Sequence, residues 1–217
     1  MSLSFSEMEW VVRDHEGNPG TGCWNATEES VSVDESGVVS LRLAELDGQW
    51  CQAEVASRAP ARYGRHRFQV ISRLDELHPS VVLGLFLYRD DEREIDIEIS
   101  RAFGQKDDVG IFVVQPSDEG RSHSFPIELS GDYTTHEIDW RPGVVRFSSW
   151  HGHCDEGPCG GWIERWEYRG DRIPTESDEL RVMMNLWLRD GEEPEAPQEV
   201  ALRYVFDRES GITGVRD

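Results

Sequence analysis

The sequence predicts an all-β protein, an antiparallel β-sandwich of the jelly-roll type. Three observations support this prediction. Short segments rich in β-branched and aromatic residues recur along the chain, turn-forming residues separate them, and convincing amphipathic helices are absent. Many short strands at fairly regular spacing, with no helix to cross over, are typical of antiparallel sandwiches and jelly rolls. At 217 residues the chain can bury a full core, so we expect one domain over residues 1–217.

Ten segments carry the strand pattern, and turn signals such as Asp34–Gly37, Ser130–Asp132 and Arg141–Gly143 stand between them. In chain order, the predicted strands are Val38–Leu43, Arg67–Ser72, Val81–Tyr88, Glu94–Ile99, Val109–Val114, His136–Trp140, Val144–Trp150, Trp162–Tyr168, Leu180–Leu188 and Glu199–Phe206.

The most informative strand places acids and isoleucines at alternate positions. Side chains alternate between the two faces of a strand, so Glu94, Asp96 and Glu98 share one face while Ile95 and Ile97 occupy the other. Crowding three like charges costs stability, and a cluster of coupled carboxyl groups is what cleavage of a glycosidic bond requires. The simpler alternative is a solvated acidic face, since the chain has 43 acidic and 22 basic residues.

The formal charge of -21 argues against nucleic acid and anionic membranes as partners, because both attract basic proteins. No stretch approaches the ~20 apolar residues of a membrane span. The opening residues 1–6 lack the basic and apolar regions of a signal peptide. We therefore expect either a cytosolic protein or a mature secreted one.

Four cysteines leave alternatives open. Cys23 and Cys51 lie 28 positions apart near strand ends, and Cys154 and Cys159 flank a tight turn, so both pairs are candidate disulfides. Alternatively, the second pair joins two neighbouring histidines at a zinc site, because imidazole and thiolate ligands suit tetrahedral zinc. These histidines are His151 and His153.

Two separated motifs resemble those of glycoside hydrolase family 16, in its bacterial lichenase branch. The acidic motif follows Gly84–Tyr88, and Val182–Trp187 stands far downstream. No extra residue precedes the last glutamate, as in lichenases and unlike laminarinase-type members. Further matches are Cys23, Cys51, Ala53, Glu54, Tyr63, Gly64, His136 and Asp139–Gly143.

The resemblance implies a concave sheet that binds a β-glucan chain in a cleft. It makes Glu94 the nucleophile, Glu98 the general acid/base and Asp96 the assisting acid of a retaining mechanism. It also implies a disulfide between Cys23 and Cys51, and with it an extracytoplasmic, secreted protein.

Five further residues match substrate-binding positions of the family. Aromatic rings stack on the apolar faces of sugars, and polar neighbours bind the hydroxyl groups. Taken alone, Phe86 and Trp187 are better explained as ordinary core. A buried Asn185 is costly unless it has a partner, which favours the cleft. The implied substrate-binding residues are Glu54, Phe86, Tyr88, Asn185 and Trp187.

The chain departs from the family at several positions. Arg93 replaces an acid, Ala56 replaces a substrate-binding arginine, and Val205, with Asp207 nearby, replaces the calcium-associated aspartate. The segment Val109–Gln115 lacks the family's sugar-contacting Asn and Tyr. We therefore expect an altered cleft and neither calcium nor another cofactor.

The predicted function is that of a monomeric, retaining endo-β-glucanase that hydrolyses β-1,3/1,4-linked glucan, with the polysaccharide as its partner. The alternatives are a transglycosylase of cell-wall glucan or xyloglucan, and a catalytically weak carbohydrate-binding sandwich. Retention of all three acids argues against the binding module, which has no need of a repulsive cluster.

Overall fold

The structure of the protein, a computed structural model, describes residues 1–20, 22–101, 108–118, 120–154, 157–189 and 193–208. Two short 3-10 turns, Leu74–Glu76 and Glu176–Asp178, are the only helical segments in these ranges, and neither is long or apolar enough to cross a membrane. The strands are β1 (Ser2–Phe5), β2 (Met8–Val12), β3 (Cys23–Trp24), β4 (Val31–Val33), β5 (Val39–Leu46), β6 (Gln49–Pro60), β7 (Gly64–Val70), β8 (Val81–Asp90), β9 (Arg93–Ile99), β10 (Asp108–Val114), β11 (Ser122–Pro126), β12 (Thr134–Arg141), β13 (Val144–His151), β14 (Trp162–Tyr168), β15 (Arg181–Leu188) and β16 (Gln198–Asp207).

The strands form two layers. The front layer has the order β11-β10-β9-β8-β15-β6, and β2 and β1 extend it beyond β6. The back layer has the order β5-β16-β7-β12-β13-β14, with β4 beside β5. The β5–β6 hairpin joins the layers through Asp47 and Gly48, both at positive φ, as a two-residue turn that follows the strand twist requires. The predicted all-β jelly-roll architecture is confirmed.

A single apolar core lies between the layers. Ile95 and Ile97 of β9 point into it with no exposed surface, so the alternation predicted for this strand is confirmed. Phe112 of β10 stacks on Phe147 of β13 with ring centroids 5.0 Å apart, which joins the front layer to the back layer. Burial of each such side chain contributes roughly 1.5–3 kcal/mol.

All ten predicted strands are present. Nine have shifted ends and β14 has the predicted bounds, but β1 to β4, β6 and β11 are not predicted by the sequence pattern. The most consequential omission is β6, which pairs with β15 and carries Glu54. Its sequence contains few β-branched residues, yet its middle residues are buried on both faces. One face joins the core through Ala53 and Val55, and on the other Gln52 and Glu54 bond to the segment before β3. Burial of this kind depends on distant parts of the chain, so local residue preference does not reveal it.

Candidate active site

The three acids of β9 project from the outer face of the front layer. The β8–β9 pairing runs without interruption from Leu83–Ile99 to Tyr88–Glu94 and places Phe86 opposite Asp96 and Gly84 opposite Glu98. No bulge therefore interrupts the acidic motif, in agreement with the predicted spacing. Each acid has a neighbour on β8 that shares its face of the sheet.

A cleft with a volume of about 500 Å³ lies over this face. The three acids line it, and so do residues of the N-terminal segment 11–19 on one side. All five residues expected to bind substrate also line the cleft: Glu54, Phe86, Tyr88, Asn185 and Trp187. The structure thus brings together every candidate site residue that the sequence indicated for catalysis and substrate binding.

Burial raises the pKa of all three acids, and repulsion by neighbouring acids adds to the rise at Glu94 and Asp96. Burial, followed by the charges of Glu98, Asp91 and Glu54, raises the pKa of Glu94 to about 8. Burial raises the pKa of Glu98 to about 7, and the charge of Arg189 opposes that rise. The cluster therefore retains protons near neutral pH, as carboxyls that perform acid–base chemistry must.

Asp96 is the most deeply placed of the three acids. Only about 5% of its surface is exposed, and its Oδ1 atom has no hydrogen-bond partner among the described residues. Burial first, and then the charges of Glu98 and Glu94, raise the pKa of Asp96 well above its usual range. An ionised carboxylate without a hydrogen-bond donor would be costly at this position.

Phe86 and Tyr88 form an aromatic wall beside the acids. Their rings meet edge to face, with centroids 6.1 Å apart. The Tyr88 hydroxyl donates a hydrogen bond of 3.0 Å to Asp91 Oδ1, and burial raises the pKa of Tyr88 to about 12. The phenol therefore remains a neutral hydrogen-bonding group at any pH at which the cluster titrates.

Trp187 lies in the cleft rather than between the layers. It forms a small apolar cluster with Trp24 and Val82, separate from the main core. The Trp24 indole donates to the Gly17 carbonyl at 2.9 Å and so ties this cluster to the N-terminal segment. Ordinary core packing, the alternative weighed for Trp187, does not describe its position.

Glu54 and Asn185 meet at the inner end of the cleft. Asn185 donates from Nδ2 to Glu54 Oε2 at 3.1 Å, and its own Oδ1 is buried without a partner in the described part of the chain. Arg13 Nη1 lies 3.4 Å from both carboxylate oxygens of Glu54. Sequence reasoning missed Arg13, which precedes the region of family resemblance and belongs to no motif.

Other predicted features fall outside the cleft. Arg93 forms ion pairs with Asp90 and Asp178 and does not line the cleft. Asp207 lies 4.0 Å from Arg65 and 3.9 Å from Arg67 on the back layer. Asp207, the acid near the family's calcium-associated position, therefore makes ion pairs with arginines.

Both candidate cysteine pairs are disulfides. Cys23 and Cys51 are directly paired in the parallel β3–β6 contact, and Cys154 is joined to Cys159. Residues 155 and 156 of the intervening turn lie outside the described ranges. Because a disulfide sulfur is not a thiolate, the zinc alternative for the second pair is not the arrangement found.

Comparisons with known proteins identify the fold. The chain matches no family model, and no curated protein matches it. The β-glucanase of Bacillus licheniformis superposes with a TM-score of 0.68 at 19% identity, covering 91% of this chain and 90% of that chain. A lichenase from a mouse hindgut metagenome gives 0.65 at 18% identity, covering 94% and 95%. A Mycobacterium tuberculosis antigen described as a pseudo β-1,3-glucanase gives 0.64 at 20% identity, covering 91% and 89%.

Proposed function

We propose that this protein is a retaining endo-β-glucanase of the family 16 type that hydrolyses β-1,3/1,4-linked glucan. One observation supports this most strongly. Three coupled carboxyls with raised pKa values share one face of β9, inside an aromatic cleft, in a fold that solved β-glucanases also have. Burial and repulsion of this kind are typical of carboxyls that exchange protons during catalysis.

In the first step of the proposed mechanism, Glu98 donates a proton to the glycosidic oxygen while the Glu94 carboxylate attacks the anomeric carbon. The bond to the leaving sugar breaks, and a covalent bond forms between the glycosyl group and Glu94. Glu98 then takes a proton from water, and the resulting nucleophile displaces Glu94. The two displacements together restore the β configuration of the starting bond.

The mechanism requires Glu94 to be ionised and Glu98 to be protonated when the substrate reacts. Burial raises the pKa of both groups, and repulsion by neighbouring acids adds to the rise at Glu94. Because the acids are coupled, a proton can move within the set without changing its total charge. Positive charge developing on the sugar stabilises ionised Glu94, and the glycosidic oxygen accepts the proton that Glu98 then holds.

The charge of the cleft restricts the class of substrate. Besides the three catalytic candidates, Asp14, Glu54 and Asp91 contribute carboxyl groups to the lining. An anionic polysaccharide would meet repulsion from these groups and from the overall charge of -21. We therefore propose an uncharged glucan as the substrate.

The alternative of a carbohydrate-binding protein with little turnover deserves a test because one structural neighbour is described as a pseudo β-1,3-glucanase. Retention of three coupled, buried acids favours turnover, since binding an uncharged sugar gains nothing from repulsive carboxyls. Transglycosylation shares the covalent intermediate and differs only in the final acceptor.

A reducing-sugar assay tests the proposal on barley β-glucan, lichenan, laminarin, xyloglucan, agarose and the anionic polymer alginate. We expect release of reducing ends from β-1,3/1,4-glucan and none from alginate. The Glu94→Gln variant is the control for contaminating activity. Binding of β-glucan without release of reducing ends would support the binding alternative, and longer products in the presence of added oligosaccharide would support transglycosylation.

We also propose that residues 1–217 form one catalytic domain that acts as a monomer outside the cytoplasm. The two disulfides support the extracytoplasmic location, because such bonds persist mainly in oxidising compartments. Intact-mass measurement of non-reduced protein should show no free thiol, and size-exclusion with light scattering should give the monomer mass. Four free thiols or a stable dimer would contradict these two proposals.

A further inference from the structure

Three residues from separate segments form a chain of contacts that ends in the cleft. Arg13 follows β2, Glu54 lies on β6 and Asn185 lies on β15. We infer that Arg13 is a positioning residue: by keeping Glu54 ionised, it orients the Asn185 amide so that Oδ1 faces the substrate as a hydrogen-bond acceptor. The inference rests on the proposed function of the cleft and extends it to a residue outside the motifs.

The Arg13 side chain is held from several directions. Its Nε donates to the His15 carbonyl and its Nη1 to the Asn18 carbonyl, both at 3.0 Å. Its guanidinium carbon lies 4.1 Å from the centre of the Trp24 ring, and about 10% of the side chain is exposed. The cation is therefore fixed beside Glu54 before substrate arrives, and its ordering cost is met during folding.

Arg13 favours the ionised form of Glu54. Burial raises the pKa of Glu54, and the charge of Arg13 is the largest opposing influence, followed by the hydrogen bond from Asn185. Besides Arg13 itself, the titratable groups that share the cleft lining with Glu54 are Asp14, His15, Tyr88, Asp91, Glu94, Asp96 and Glu98. Since most of them are acids, loss of Arg13 would leave Glu54 buried among like charges and favour its protonation.

The charge of Glu54 in turn decides which way the Asn185 amide points. A carboxylate only accepts hydrogen bonds, so it binds Nδ2 and leaves Oδ1 directed elsewhere. A protonated Glu54 would instead donate to Oδ1, and the amide would rotate and present its NH₂ group to the cleft. The change from acceptor to donor would reverse the recognition of a sugar hydroxyl.

Asn185 Oδ1 lies close to the catalytic candidates. A Cβ atom added to Gly84 would come within 2.4 Å of it, and Gly84 stands directly opposite Glu98 on β9. The oxygen is buried and lacks a partner among the described residues, although such atoms normally have one. A sugar hydroxyl beside the scissile bond would supply the missing donor.

Arg13 also accounts for one departure from the family. Ala56 replaces the family's substrate-binding arginine, and it is paired with Val11 of β2. Two residues further along the chain, the Arg13 amide donates to the Glu54 carbonyl at 3.0 Å. The guanidinium group that β6 lacks at Ala56 is therefore supplied to the same part of the cleft by Arg13, from the segment after β2.

The test is a double-mutant cycle with Arg13→Met and Glu54→Gln, measured as kcat/KM on soluble β-glucan between pH 5 and pH 9. Arg13→Met is expected to lower kcat/KM about tenfold at the acidic end, with the loss shrinking as rising pH ionises Glu54 again. In the Glu54→Gln background, removal of Arg13 should change kcat/KM less than about twofold and without pH dependence. Arg67→Met, which removes a buried Arg–Glu pair on the back layer, is the folding control and should leave the pH profile unchanged.

Carboxyl NMR of Glu54 in the same variants decides the inference without an activity readout. The Glu54 pKa should rise in Arg13→Met and stay in place in Arg67→Met. An unchanged Glu54 pKa, or an equal and pH-independent loss in both backgrounds, would overturn the inference. Absence of glucan turnover by the wild type would instead overturn the proposed function, and the NMR titration would still test the role of Arg13.

Discussion

The buried histidines of the back layer have hydrogen-bond partners, whereas the buried acids of β9 in the front layer repel one another. In the back layer, His66 bonds to Tyr204 and to the Arg62 carbonyl, so both ring nitrogens are paired. His136 similarly bonds to Thr134 and Ser149. Burial lowers the pKa of His66 to about 4 and that of His136 to about 3, so both rings are neutral and serve packing.

Two acids of the front layer, Asp96 and Glu94, are instead buried beside like charges. Asp96 Oδ1 has no hydrogen-bond partner in the described part of the chain, and Glu94 faces the charges of Glu98, Asp91 and Glu54. The neutral, hydrogen-bonded histidines stabilise the fold. The acids repel one another, which lowers the stability of the sheet and has no use in a protein that needs only to stay folded. The contrast supports the proposal that the front layer carries the active site.

The largest expected effect comes from Glu94→Gln. Loss of the nucleophile should lower turnover of β-glucan on the order of 10³-fold or more, because no other group on β9 replaces it. Removal of one member of a repulsive cluster should leave the fold intact. Kinetics on barley β-glucan and circular dichroism measure both quantities, and more than a tenth of wild-type turnover would exclude Glu94 as the nucleophile.

The other two acids provide matched comparisons. Glu98→Gln should lose activity on glucan but retain the first step on aryl glycosides, whose leaving group needs no proton. Asp96→Asn should keep part of the activity with a displaced pH profile, because its role is to set the proton distribution. A Glu98→Gln variant equally inactive on both substrate types would argue against its role as the acid.

The second effect is on stability at high pH. The folded-state pKa of Glu94 is raised from 4.5 to about 8, so the folded protein binds more protons than the unfolded chain between these pH values. Its free energy of unfolding should therefore fall as pH rises through this window, by on the order of 4 kcal/mol. Urea denaturation of the wild type and Glu94→Gln measures the difference. At pH 8.5 the variant should have a higher free energy of unfolding than the wild type, and at pH 4 the two should be equal. If the free energies of unfolding of the two proteins changed in parallel with pH, the raised pKa would be contradicted.

Much of the site could be predicted from local sequence. The period of two in Glu94–Glu98 fixes which side chains share a face, and this arrangement depends on no distant contact. The strand carrying Glu54 and the contribution of Arg13 depend on pairing between segments far apart in the chain. Arg13 and Glu54 are 41 positions apart, and no local pattern in either segment indicates that they meet.

A smaller effect should appear in the back layer at acid pH. The pKa of His136 is lowered from 6.5 to about 3, so the unfolded chain binds the extra proton first as pH falls below 6.5. Stability contributed by the neutral ring is complete above 6.5 and is lost toward pH 3. His136→Gln should be less stable than the wild type at pH 7, and the gap should narrow at pH 4.5. A gap that widens on acidification would contradict this description of His136.

Proton NMR of a fresh β-glucan digest most directly tests the central claim. This claim is that Glu94 attacks the anomeric carbon while Glu98 acts as the general acid/base. Two displacements at the anomeric carbon predict that the β-anomer of the new reducing end appears first and the α-anomer only later by mutarotation. Initial accumulation of the α-anomer would mean a single displacement by water and would contradict the assignment of Glu94 as the nucleophile.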